Sequence, residues 1–261
     1  MMKAVWHVIE HDFRNFFRYK WWLVGLISMN LADLLIMAVV YNYMVSPEIT
    51  RQIKSYISFF APGVTVLGLY ASAFMIGREI NMEMRREIHH YLLSLPITRF
   101  ELASGRLLAG GLRGMMYMSP LLLTTFVFVG FPSLPQLLVI LGALFLLATG
   151  ISVLSIVTAV STTSFERFVT ARGLVYYVLF FCSSIFYPLS LIQTLGQEGI
   201  MPQPLVVLAE LNPLSSGADL IRSFLIGSPA FTFSIIRNLI VFSVLFATTA
   251  TFGYMKIIER K

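Results

Sequence analysis

Six stretches of about 20 mostly apolar residues, each long enough to cross the ~30 Å hydrocarbon core of a bilayer as a helix, dominate this chain. They run roughly from Trp21 to Val45, Ser58 to Gly77, Leu107 to Gly130, Pro135 to Val160, Gly173 to Leu195 and Ile235 to Met255. Of the 261 residues 57% are hydrophobic and 12% charged, where a soluble domain carries about a quarter charged residues. A water-soluble fold would leave much of this apolar surface wet, so the expected class is an all-α membrane protein. The same runs exclude a disordered tail or a collagen-like fibre. The single cysteine, Cys182, excludes an intrachain disulfide. With no linker or repeat in view, residues 1–261 read as one transmembrane domain.

An even number of spans puts both termini on one side, and the distribution of Lys and Arg says which. Fifteen of the 19 lie in the N-terminal segment, in the connections after spans two and four, and at the C-terminus. Arg51, Lys54, Arg222 and Arg237 fall on the other side. The first side is therefore expected to be the cytoplasm, which makes the chain a multi-pass inner- or plasma-membrane protein with both termini inside. Its basic balance is topological: anionic lipid headgroups are the expected counter-charge, and nucleic acid is not an expected partner. The first apolar run is too long for a signal-peptide core, so it is expected to stay as a span.

Residues 1–20 read as a helix lying in the membrane interface. Val5, Trp6, Ile9, Phe13, Phe16 and Phe17 recur at spacings of three and four, while His7, His11, Arg14 and Arg18 share the opposite side. Within it, His7-Val8-Ile9-Glu10-His11 matches His-x-x-Glu-His, in which two histidines one turn apart hold zinc and the glutamate is general base. A membrane zinc protease is thus an alternative reading. It lacks a third ligand in the sequence, and Arg14 and Arg18 extend the same face. No metal site is expected.

Span two continues without Gly or Pro from Arg78 to Leu95, which places Glu79, Glu83 and Glu87 on one helical stripe. Arg14 and Arg18 have a complementary spacing. The expectation is a set of salt bridges from Arg14 and Arg18 to Glu79 and Glu83, tying the interface helix to this extension. The loop 85–96 then carries a short, partly apolar segment, which Pro96 stops. Thr98-Arg99-Phe100-Glu101 has the spacing of a capping box opening the next helix.

The run Arg85-Arg86-Glu87-Ile88-His89-His90-Tyr91-Leu92-Leu93-Ser94-Leu95-Pro96-Ile97-Thr98, followed by Glu101-Leu102-Ala103-Ser104-Gly105-Arg106, resembles the coupling-helix loop of type-2 ATP-binding-cassette permeases. A second patch is similar to the same family: Phe186-Tyr187-Pro188, then Leu211-Asn212-Pro213-Leu214 and Asp219-Leu220-Ile221-Arg222. The chain departs from the family pattern in Glu87-Ile88, where Gly-Thr is usual, and in Arg106, where Lys is common. The resemblance implies the transmembrane subunit of an exporter, paired as a homodimer or heterodimer and bound to a separate ATPase that holds ATP and Mg. Its cargo would be amphipathic, lipid-like, drug-like or a glycan. It also implies that Arg85, Arg86, Glu87, His89, His90, Leu92, Leu93 and Leu95 meet the ATPase, and that Pro188, Asn212, Pro213 and Arg222 belong to an external-loop motif.

The chain contains no Gly-Lys dipeptide and so no phosphate-cradling Gly-x-x-x-x-Gly-Lys loop; it is not expected to be an enzyme or to bind a cofactor itself. Asp33 is the one carboxylate deep in a span, with Asn30 one turn away, and Arg113 lies near the start of span three. Intramembrane ionisable groups are functional candidates, so an ion-coupled carrier using Asp33 is a further alternative, and an Asp33–Arg113 pair is one expectation. Between Gln193 and Ile235, the pieces Leu205 to Leu211 and Ala218 to Ile226 are too short to span and read as re-entrant or interfacial helices.

Overall fold

The computed structural model describes residues 2–18, 20–44, 56–86, 88, 94, 96–162, 164–227 and 233–245. They form helices joined by short turns, with no strand among them: α1 (Met2–Arg18), α2 (Lys20–Met44), α3 (Tyr56–Ala73), α4 (Met75–Arg85), α5 (Arg99–Val129), α6 (Leu134–Ser161), α7 (Phe165–Phe181), α8 (Leu189–Gln197), α9 (Gln203–Leu211), α10 (Pro213–Leu225) and α11 (Phe233–Leu245). Among the described residues, three helices are long and apolar enough to cross a membrane: Tyr56–Arg85, which is α3 running into α4, then α5 and α6. Ile27–Met37 within α2 and α11 are shorter apolar helices.

The α3–α4 rod is the axis of the bundle. Along α3 the apolar residues leave no polar face, the pattern of a helix enclosed by others, and 89% of the rod's most apolar window is buried. α3 lies along α5 and α2, α4 along α6, and α1 along α5; α10 packs on α3 and α6 at the opposite end from α1. Without water to reward apolar burial, helices in lipid associate by close packing of small residues. Gly110 and Gly111 face Ser152 and Thr149 of α6, and Gly114 faces Ala148 of α6 and Ala73 of α3.

At Phe74 the rod turns, and a hydroxyl repairs the backbone. Ser155 of α6 donates to the Phe74 carbonyl and accepts from the Gly77 N–H at 3.0 Å. The approach requires glycine, because a Cβ at Gly77 would overlap the Ser155 backbone. The start of α5 forms as its spacing predicts: the Glu101 N–H donates to Thr98 Oγ1 at 3.2 Å, and the Thr98 N–H donates to Glu101 Oε2 at 2.9 Å.

One boundary differs from the sequence reading. The fifth apolar run, placed at Gly173–Leu195, is divided between α7, which is opened by Ser164, whose side chain accepts from the Arg167 N–H at 3.2 Å, and α8. The hydropathy of residues 173–195 continues across a bend at 182–188, so composition alone hides the break. Arg172, read as a loop cation, is consequently inside α7. The helix carrying the glutamate stripe is α4 as far as Arg85; Ile88 and Ser94 are helical, and Glu87, residues 89–93 and Leu95 lie outside the described residues. The rest of the sixth run, beyond Leu245, lies outside the described residues.

Gly77→Ala is expected to cost about 1–3 kcal/mol through overpacking. Gly173→Ala, where a Cβ meets nothing within 4 Å, is expected to be neutral or to stabilise by up to about 1 kcal/mol. Thermal unfolding of the purified variants in detergent checks the contrast; equal midpoints would refute the close α4–α6 contact.

Candidate functional site

The largest concentration of buried charge lies where α1, α4 and α5 meet. On α1, Ile9, Asp12 and Phe16 recur at three and four, so Asp12 sits in the apolar stripe. All three are buried, Asp12 completely. On α5, Arg106 and Arg113 stand seven residues apart, two turns along one face, and are 2% and 0% exposed. On α4, Glu79 and Glu83 are one turn apart. Arg106 Nη1 donates to Asp12 Oδ1 and Nη2 to Glu83 Oε2, both at 2.7 Å, so one guanidinium bridges two helices from a third. Arg113 Nη1 donates to both Glu79 carboxylate oxygens at 2.8 Å, and Nη2 donates to the Asp12 backbone carbonyl. Its guanidinium lies 5.0 Å from the Phe16 ring centroid, a cation–π contact. Gly105 permits the docking of α1, since a Cβ there would lie 2.7 Å from Val8 Cβ.

Three carboxylates thus face two guanidiniums. His11 stands beside them, Nδ1 3.6 Å from Asp12 Oδ1, and the Asp12 carboxylate holds its pKa above the ordinary histidine range.

The interface helix is tied to Glu79 and Glu83, but not by the arginines expected from spacing. Arg14 pairs with Glu10 one turn back at 2.6 Å, holding the Glu10 carboxyl below its usual range, and Arg18 is exposed. The physical reason is the helix face: Arg14 and Arg18 lie opposite Ile9 and Phe16, so they point away from α4 and α5. Glu79 and Glu83 take Arg113 and Arg106 instead. The zinc reading fares no better. Glu10 is engaged by Arg14, His7 Nδ1 is 3.7 Å from Glu10 Oε2, and the described residues hold no group of three His, Cys, Asp or Glu around a common point.

Of the loop that follows α4, Arg85 and Arg86 are exposed at the helix end, with the Arg85 guanidinium 5.9 Å from the Phe165 ring centroid. Glu87, His89, His90, Leu92, Leu93 and Leu95 lie outside the described residues.

At the far end of the bundle the external-loop residues close the break after α7. Asn212 caps α10 by accepting from the Leu214 N–H at 2.9 Å, while its amide donates to the Leu179 and Cys182 carbonyls. Pro213 occupies the first turn of α10, and Pro188 precedes α8. Arg222 is buried; it donates to the carbonyls of Phe59, Ser184 and Ile185 at 2.9, 2.7 and 3.1 Å and to Asp219 Oδ1 at 2.7 Å. Its guanidinium lies 3.7 Å from the Phe59 ring centroid. Carbonyls freed where a helix breaks need donors at membrane depth, and these two side chains provide them.

Mid-bundle, Asn30 donates to the Tyr117 hydroxyl at 3.0 Å. Asp33 is exposed on α2, and the expected Asp33–Arg113 pair does not form, because Arg113 is held by Glu79.

Sequence reasoning missed Asp12 and the roles of Arg106 and Asp219. The signals were present: an acid inside an apolar stripe, two arginines at a seven-residue interval, and an Asp three residues before an Arg.

The family model described as ABC-2 type transporter matches residues 3–226. The chain is also similar to the daunorubicin resistance ABC transporter permease protein of Streptomyces coeruleorubidus, 26% identical over 233 residues, which covers 87% of this chain and 78% of that one.

Removing one partner of a buried pair leaves a bare charge, which costs about 3–5 kcal/mol. Arg106→Met is expected to destabilise by that amount, and adding Asp12→Asn is expected to recover part of it. Arg14→Ala should be nearly silent. A double-mutant cycle read by thermal unfolding checks this; additive effects of Arg106→Met and Asp12→Asn would refute the pairing.

Proposed function

This chain belongs to the ABC-2 type transporter family, and on that premise we propose that it is the membrane subunit of an ATP-driven exporter whose ATPase is a separate polypeptide. ATP and Mg are held by that partner. This chain contributes the path and the means of moving it. The proposed topology has six spans, with α1 and the 85–96 loop on the cytoplasmic side and α8 to α10 outside. The excess of Lys and Arg supports it.

One observation carries the mechanism. The 85–96 segment, proposed to dock on the ATPase, directly follows α4 in the chain, and α4 is pinned by Glu79 and Glu83 to Arg113 and Arg106 of α5. Asp12 adds α1 to the same knot. A push on the segment therefore moves three helices together, since each charged group loses its counter-charge if one helix moves alone.

Two such permeases, identical or homologous, are proposed to enclose the cargo path. The similar permease is named for daunorubicin resistance, which supports an amphipathic, drug-like cargo over a glycan.

Leu92 and Leu93 are proposed as apolar anchors in the ATPase cleft, and truncating a central anchor costs about 2 kcal/mol or more. Leu92→Ala combined with Leu93→Ala is expected to abolish coupled transport in membranes while leaving the permease folded. Unchanged copurification with the ATPase together with unchanged transport would refute the docking.

A further inference from the structure

α4 meets its neighbours with two different faces. Glu79 and Glu83 pair with Arg113 and Arg106 of α5. Phe74, Gly77, Asn81 and Arg85 recur at spacings of three and four, so they share a second face, and each of them engages α6 or the start of α7. Ser155 of α6 donates to the Phe74 carbonyl and accepts from the Gly77 N–H. Asn81, 2% exposed, donates from its amide to the Ala159 carbonyl at 3.2 Å and to Thr162 Oγ1 at 3.4 Å. The Arg85 guanidinium lies over the Phe165 ring on α7, 5.9 Å from its centroid.

The Asn81 contact has a chemical reason. The last four carbonyls of a helix have no partner within it, and α6 ends at Ser161, so the Ala159 carbonyl is one of these. The Thr162 hydroxyl donates to the Thr158 and Ala159 carbonyls at 3.0 and 3.1 Å, and Asn81 adds a donor from α4. One helix thus caps the end of another. In the chain, Thr162 stands three residues before Phe165, where α7 begins. At its other end α7 is held by Asn212, whose amide donates to the Leu179 and Cys182 carbonyls.

We infer that Asn81 is a positioning residue for transport: it ties the end of α6 and the first turn of α7 to the docking end of α4, so that α7 moves with α4 when the ATPase displaces it. A slide of α4 past α6 by one residue would break both bonds of the Asn81 amide and leave buried polar groups bare, whereas an apolar contact would tolerate it. Arg85 over Phe165 adds a direct contact between α4 and α7. Movement entering at the 85–96 segment then has a second route besides the knot with α1 and α5, along α7 to Asn212 and the external-loop residues. The tie itself rests on geometry; its use in the cycle rests on the exporter reading.

The test reads the tie as a distance in the full-length chain. Cys182→Ser removes the one native cysteine, and Met82→Cys on α4 with Arg167→Cys on α7, at half-buried and exposed positions, carry spin labels. In the purified chain alone, double electron–electron resonance is expected to give a single narrow distribution. Asn81→Leu, which keeps the size and removes both donated bonds, should broaden it or shift it by about 2 Å or more, the scale of helix shifts at interfaces. Adding Thr162→Val to Asn81→Leu should change nothing further, because both act on one contact. If Asn81→Leu fails to fold, Thr162→Val with Phe165→Leu, at two half-buried positions, should broaden the distribution instead. An unchanged distribution in a folded Asn81→Leu, or in that second pair, would overturn the tie. In the complex with the ATPase, trapping with ATP and vanadate should leave the distance between positions 82 and 167 unchanged in the parent and shift it in Asn81→Leu. A shift in the parent would overturn the joint movement of α4 and α7. The distance between the position-82 labels of two copies, measured with Met82→Cys alone, should change on trapping; if it does not, the exporter reading fails and the tie stands or falls on the isolated chain.

Discussion

A guanidinium shut away from water needs its counter-charges within hydrogen-bonding distance, and the arrangement of α1, α4 and α5 follows from meeting that need for Arg106 and Arg113. Arg106 draws Asp12 and Glu83 to itself from two different helices. Arg113 takes both oxygens of Glu79 and the Asp12 carbonyl, with Phe16 beneath it. Burying such groups is a poor way to gain stability, because desolvation offsets most of the attraction. Its consequence is geometrical. The pairs hold α1 against the bundle in one register, whereas an apolar seam between α1 and α5 would tolerate sliding.

The opposite end obeys the same rule with backbone carbonyls as acceptors. They are left where α7 stops short, and Asn212 and Arg222 are the donors that reach them. Ser184 links the two groups, donating to Asp219 Oδ2 at 3.0 Å while its carbonyl accepts from Arg222. At both ends an arginine on one helix completes the polar groups of others. Gly77, Gly110 and Gly114 let α4, α5 and α6 meet closely beside the knot of α1, α4 and α5.

The helices, the amphipathic pattern of α1, the Thr98 capping box and the short pieces at Gln203–Leu211 and Pro213–Leu225 were legible in the sequence, because each rests on local periodicity or turn chemistry. The residues of the buried knot were only half legible. Glu79 and Glu83 stood out as a stripe, and a link from the N-terminal helix was foreseen. Its partners were not, because spacing shows which residues share a face without showing which neighbour that face meets. Arg14 and Arg18 had a suitable interval and the wrong side of the helix. Asp12 had the right side and was concealed by its neighbours Glu10, His11 and Arg14 in a charged segment. The break after Phe181 escaped for a different reason: Cys182 to Pro188 is as apolar as a helix interior, and its irregular backbone is sustained by side chains 30 residues or more away.

The pairing rule also gives meaning to its exceptions. Arg106, Arg113 and Arg222 are each buried and each compensated, so their charges are spent on holding helices together. Asp33, exposed at mid-depth on α2, and Arg172, half-buried on α7, have no ion-pair partner among the described residues. A structural charge gains from being satisfied permanently. The division between satisfied and open charges therefore separates the arginines that hold the helices of this permease together from Asp33 and Arg172, which tie no helix to another among the described residues.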